Sequence, residues 1–100
     1  MIYHKFHAKI TEADGIKFSS RKEADFYAVL KARQQAKDVI CFLMQVPIRL
    51  PGGVKFVCDF QVFEADGTCH MIDTKGFKTE SYKAKKRMVE ALYPFTIEER

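Results

Sequence analysis

The hydrophobic and polar positions of this chain change period along its length, and each change marks an element. Phe26, Tyr27 and Leu30 recur at helical spacing, with Glu23 and Gln34 on the same stripe. Ser20 followed three residues later by Glu23 has the form of a capping box, so a first helix is predicted from about residue 20 to about residue 37. Residues 39–50, V-I-C-F-L-M-Q-V-P-I-R-L, read as a long strand. Its near-continuous apolar first half predicts burial on both faces, and Pro47 places the second half at an edge or a bulge. Pro51-Gly52-Gly53 turns the chain into a second strand, and Asp66-Gly67 turns it into a third. Asp-Gly between alternating runs predicts a hairpin whose two central residues both take positive φ. The result is a three-stranded antiparallel meander. Beyond Gly76 the helical period returns over residues 79–92, with Ala84, Met88, Ala91 and Leu92 on the predicted apolar face. Pro94 ends that helix, and Phe95-Thr96-Ile97-Glu98 adds a short fourth strand. Residues 1–18, with a second turn at Asp14-Gly15, are predicted to form an arm that packs on the domain or on a partner subunit.

The meander carries carboxylates where strands do not favour them. Alternation puts Val57, Asp59, Gln61 and Phe63 on one face of the second strand, and Phe56, Cys58, Phe60 and Val62 on the other. On the third strand Cys69, Met71, Asp73 and Lys75 share a face. If the hairpin pairs with its acids on one side, Asp59, Asp73 and Lys75 converge. Two readings compete. In one, the aspartates are edge-strand polar groups paired with Lys75. In the other, the repulsion of two close carboxylates is relieved by a hard cation such as Mg²⁺ or Mn²⁺. Metal-assisted attack of water on a phosphodiester would follow, with the lysine positioning or deprotonating the water. Glu23 is open in the same way: it caps its helix, or it turns its charge from the apolar stripe toward the same cation. Gln45, the polar residue in the middle of the first strand, is a satisfied core amide or a neighbour of the site.

Composition changes this picture little. One hundred residues, 47% of them hydrophobic, allow a single globular domain. Net charge is +4, and the span 75–87 alone holds six basic residues against one acidic, a local excess of +5. That helix is a solvated lysine face or a surface for phosphates, which Lys78, Lys83, Lys86 and Arg87 would contact. Cys41, Cys58 and Cys69 lie in apolar runs without a C-x-x-C pair and read as reduced core thiols. His4 and His7 find no partners at zinc spacing. No run is long enough to span a bilayer and no signal pattern opens the chain, so a cytoplasmic location is expected.

S-R-K-E on a first helix, C-D-F on a strand, I-D-T-K-G on the next strand and then a basic helix resemble the PD-(D/E)XK nuclease superfamily. The resemblance implies an α/β fold with a restriction-endonuclease-like αβββαβ core, a four-stranded mixed sheet flanked by two helices, occupying residues 1–100. It implies Glu23, Asp59 and Asp73 as metal-binding acids, the backbone carbonyl of Thr74 as a further ligand, Lys75 as the catalytic lysine and Gln45 as an accessory residue. Cys58 stands where the motif usually has proline. The opening Y-H-K-F-H-A-K-I-T-E-A-D-G-I-K-F-S-S-R-K-E-A also resembles small phage-encoded proteins known as a domain of unknown function. The order and spacing of the four site residues is similar to that of phage Holliday junction-resolving endonucleases. These resemblances imply a Mg²⁺- or Mn²⁺-dependent endonuclease acting on branched DNA as a homodimer in the host cytoplasm. The rival expectations are a catalytically inactive nucleic-acid-binding module on the same fold, and a phage interaction protein that uses its aromatic N-terminal arm.

Overall fold

Two Asp-Gly dipeptides shape this chain, and they make different turns. The structure, a computed structural model, describes residues 10–100. Strands β1 (Thr11–Ala13) and β2 (Ile16–Phe18) pair antiparallel around Asp14-Gly15, whose φ angles of 52° and 76° are those of a type I′ turn. What the sequence suggested as an arm is therefore, over residues 11–18, a hairpin. It is anchored by the buried Phe18 and by Tyr27, whose hydroxyl donates to Asp14 at 2.8 Å. The first nine residues of the predicted arm, His4 and His7 among them, lie outside the described residues. At the second dipeptide only Gly67 has positive φ (92°). Thr68 donates from both its amide and its hydroxyl to the Asp66 carboxylate, and Glu64 N–H reaches Thr68 O at 2.9 Å. This is a longer turn in which glycine alone is left-handed, not the predicted two-residue form.

Helix α1 (Arg21–Gln35) starts at Ser20, whose Oγ accepts from the Glu23 amide at 3.1 Å. It stops two residues earlier than expected, because Lys37 takes φ of 67° and Asp38 N–H returns to Arg33 O at 2.9 Å. That is a Schellman ending without its usual glycine. Strands β3 (Val39–Arg49), β4 (Lys55–Glu64) and β5 (Cys69–Asp73) follow as the antiparallel meander, with a short 3₁₀ turn at Pro51–Gly53. Helix α2 (Glu80–Leu92) then crosses over to β6 (Ile97–Glu99), which runs parallel to β5. The result is a mixed α/β fold with a four-stranded mixed sheet, ordered β3-β4-β5-β6, and two helices. Among the described residues no helix is long and apolar enough to cross a membrane.

The two helices cover opposite faces. Ala24, Tyr27 and Leu30 of α1 pack with Val39, Phe60, Val62 and Ile72, whereas Tyr82 and Val89 of α2 pack with Phe56, Cys58, Met71 and Ile97. Each fully buried aliphatic or aromatic side chain in these clusters contributes about 1.5–3 kcal/mol by leaving water. The α2 stripe differs from the predicted one: Met88 and Leu92 are exposed, and Tyr82 and Val89, seven residues apart, face inward. Strand β3 is an edge, as Pro47 suggested, but its first half is not buried on both faces. Ile40 and Leu43 are 63% and 51% exposed, since one face of this stretch has no element covering it. Cys41 and Cys69 are likewise exposed, and Cys58 alone of the three is buried.

One break in the sheet positions the site. Alternation along β4 would keep Cys58 and Phe60 on one face, yet they pack against different helices. On the partner strand Met44 and Val46 divide in the same way. The change falls at Gln45 and Asp59, between the paired steps Met44↔Phe60 and Val46↔Cys58. There Gln45 adopts φ of 53°, which costs a non-glycine residue on the order of 1 kcal/mol.

Candidate active site

Three buried carboxylates from three elements lie around this break, Asp59 against Asp73 and Glu23 linked to Asp59 through Gln45. Asp59 on β4 and Asp73 on β5 are 7% and 0% exposed, and Glu23 on α1 is 5% exposed. Antiparallel pairing of Phe60 with Ile72 sets the two aspartates opposite one another, and the Asp59 amide donates to Asp73 Oδ1 at 2.9 Å. The amide and hydroxyl of buried Thr74 both donate to Asp59 Oδ2, each at 2.9 Å. The strained Gln45 sends its Nε2 between the remaining acids, donating to Glu23 Oε2 at 2.9 Å and to Asp59 Oδ1 at 3.4 Å. Ser19 Oγ donates to Glu23 Oε1 at 3.0 Å. So Glu23 gives its backbone to the helix cap, while its carboxylate turns to the site.

One buried polar atom is left over. Asp73 Oδ2 has no hydrogen-bond partner among the described residues. Burial pushes the Asp73 carboxyl up to about 6; the Asp59 amide opposes this, the Asp59 carboxylate adds to it, and Lys75 draws it down. An unpaired buried carboxylate oxygen costs free energy unless a proton or cation meets it. Among the described residues no three His, Cys, Asp or Glu side chains are already gathered as a ready ligand set, because Glu23 reaches the aspartates through the Gln45 amide. The donors are nonetheless all hard oxygens, with an N–H lying where positive charge is wanted. That set suits Mg²⁺ or Mn²⁺.

Lys75 follows Asp73 by two residues and is half-buried. Its ammonium lies 5.9 Å from the Tyr82 ring centroid, and among the described residues no direct ion pair joins it to Glu23, Asp59 or Asp73. Tyr82 is a neighbour of the site that the helical pattern alone does not single out. Its hydroxyl donates to Glu99 Oε2 at 3.0 Å, and burial, then the Asp73 charge, hold the phenol well above its ordinary range. Its place seven residues before Val89 was the available signal. Cys58 is also a fixed neutral group: burial and the nearby Asp73 push its thiol up to about 12. Of the predicted phosphate contacts, Lys78 is half-buried and Arg87 exposed, while Lys83 pairs with Glu80 at 3.4 Å and Lys86 with Glu90 at 3.3 Å.

Residues 3–97 match the family model described as protein of unknown function (DUF1064). The chain belongs to that family. No curated protein and no solved structure matches it.

Proposed function

We propose that this protein is a Mg²⁺- or Mn²⁺-dependent DNA endonuclease of the PD-(D/E)XK type, with a restriction-endonuclease-like core, acting on branched or otherwise structured DNA as a homodimer. The observation that supports the reading is the burial of Glu23, Asp59 and Asp73 from three separate elements, with Gln45 bridging Glu23 to Asp59 and Asp73 Oδ2 without a partner among the described residues. Glu23, Asp59, Asp73 and the Thr74 carbonyl would hold the metal. When bound, it would supply positive charge for the phosphate oxygens and lower the pKa of a coordinated water. The chain's own groups do the rest. Thr74 fixes Asp59 through two hydrogen bonds, and Gln45 keeps Glu23 and Asp59 at a set separation. Lys75, whose ammonium lies 5.9 Å from the Tyr82 ring centroid and whose charge draws the Asp73 carboxyl down, would orient the attacking water and meet charge developing on the phosphate. Water loses a proton as it adds to phosphorus, the bond from phosphorus to the leaving oxygen breaks, and that alkoxide oxygen takes up a proton to leave as an alcohol. A chain of this size has little surface for reading bases, which favours recognition of DNA shape. Symmetric subunits would place two such sites for paired cuts across a branch.

A second reading, a nucleic-acid-binding module without catalysis, is favoured by one observation: Lys75 contacts Tyr82 rather than an acid. A panel of labelled duplex, flap and four-way DNA separates the two. The nuclease reading predicts cutting with Mg²⁺, none with EDTA, and an Asp73→Asn variant that binds without cutting. Wild-type protein that binds the panel yet leaves it whole under both Mg²⁺ and Mn²⁺ would establish the module instead.

A further inference from the structure

We infer that the cavity between the start of β4 and the N-terminus of α2 is a phosphate site separate from the carboxylates, holding a neighbouring backbone phosphate of a nucleic acid. The polymer is taken from the nuclease reading above; the chemistry of the site is not. Lys55, Lys75 and Lys85 line this open cavity of about 290 Å³ over Phe56 and Tyr82, and no carboxylate lines it. The three lysines come from β4, from the segment after β5 and from α2. None of them forms an ion pair among the described residues, whereas Lys83 and Lys86 on the same helix are both paired. Lys75 feels the Asp73 charge without pairing to it, and among the described residues neither Lys55 nor Lys85 pairs with an acid, so the three ammonium groups repel each other and an anion relieves that cost.

The helix end adds directed donors. Thr79 caps α2 by accepting from the Tyr82 amide at 3.0 Å, which leaves the Glu80 and Ser81 amides without intrahelical acceptors. Ser81 lines the cavity, and Glu80 turns outward to Lys83. Amide N–H groups at the positive end of a helix, beside three lysines, form a recognised chemistry for phosphate oxyanions. The cavity also adjoins the acids. Val57, which lines it, precedes Asp59 by two residues, about 7 Å along a strand, and Lys75 follows Asp73 by two. A phosphate here would be held next to one at the carboxylates, on the same backbone. The lysines that carry this inference are Lys55 and Lys85, which the basic-helix pattern alone did not single out.

The test is the salt dependence of DNA binding in EDTA, where cleavage plays no part. It uses wild type, the double variant Lys55→Gln/Lys85→Gln, and Lys31→Gln on exposed α1 surface as a control. Lys75 is left intact, and thermal melts check that each variant folds. Each phosphate that is no longer neutralised lowers the slope of log K against log salt by about 0.9, so the double variant, which gives up this one phosphate, is expected to lose about 0.9 and the control nothing. An unchanged slope in the double variant, or an equal loss in the control, overturns the assignment. Titration with inorganic phosphate against matched chloride, read at the Ser81 and Tyr82 amides by NMR, distinguishes the source of the anion. Shifts there with no slope change would mark a small-anion site and overturn the backbone assignment. Wild type that binds no DNA even at low salt overturns it as well. Protein that shows the expected slope loss but never cuts DNA supports this site while removing the nuclease reading.

Discussion

The two helices lie on opposite faces of one sheet and bring opposite charge to its centre. Helix α1 contributes a buried carboxylate, Glu23, through a face otherwise filled by Ala24, Tyr27 and Leu30. Helix α2 contributes Tyr82 and Lys85 beside Lys55 and Lys75. On the first side every functional polar group but one oxygen is hydrogen-bonded. On the second, the lysines are left open. A rigid acidic side and an open basic side are what a site needs when one holds a cation and the other receives an anionic polymer. The sheet break at Gln45 and Asp59 lets both sides meet, since a regular ladder would keep each face's residues to itself.

Substitutions can break this contrast at several depths. Asp59→Asn removes a charge from the acidic side while leaving an oxygen for Thr74. Cleavage should fall on the order of 10³-fold, about 4 kcal/mol of transition-state stabilisation, in a single-turnover assay. Branched-DNA affinity in EDTA should stay close to wild type.

The next effect is one of stability with pH. Burial raises the Asp73 carboxyl from 3.8 to about 6, so folding favours its protonated form. In EDTA, the contribution of Asp73 to stability, read as wild type minus Asp73→Asn, should be greatest below about pH 4, decline as pH rises to about 6, and then level off, a change on the order of 3 kcal/mol. Asp73→Asn should remove that contribution and make the metal-free protein more stable at pH 7, with denaturant melts at several pH values as the measurement. The same substitution should abolish cutting, so stability and activity move in opposite directions at one residue.

Tyr82→Leu probes the basic side. It keeps most of the apolar packing but removes the ring under Lys75 and the bond to Glu99. The cleavage rate should drop about 10-fold, close to 1.4 kcal/mol, with little change in the affinity for DNA. Smallest is Lys37→Gly at the end of α1. Glycine takes φ of 67° without penalty, so the melt should show a gain of about 1 kcal/mol and no change in cleavage.

Much of this architecture could be read before any coordinates. The 3.6-residue stripe of α1, the two-residue alternation of the meander and the stops at Gly76 and Pro94 each follow from local backbone preference, and from α1 onward the helices and strands follow in the expected order, with the β1–β2 hairpin added before them. What failed depended on neighbours distant in sequence. Whether Leu43 is covered is decided by which face the helices choose, and nothing in its own segment states that. The inward face of α2 was misjudged because lysine stems share it with Tyr82 and Val89, diluting the apolar period. At the site, Glu23, Asp59, Asp73 and Lys75 stand out by residue type and order. The role of Gln45 as the bridge between acids depends on a left-handed φ inside a strand, which no propensity predicts.

The claim that the acidic side is built for a divalent cation can be put to a direct test by calorimetric titration of Mn²⁺ into metal-free protein, compared with Asp59→Asn and Asp73→Asn. Saturable binding to wild type that either substitution removes is the predicted result. Wild-type protein that takes up no Mn²⁺, or variants that bind it as well as wild type, would contradict the account.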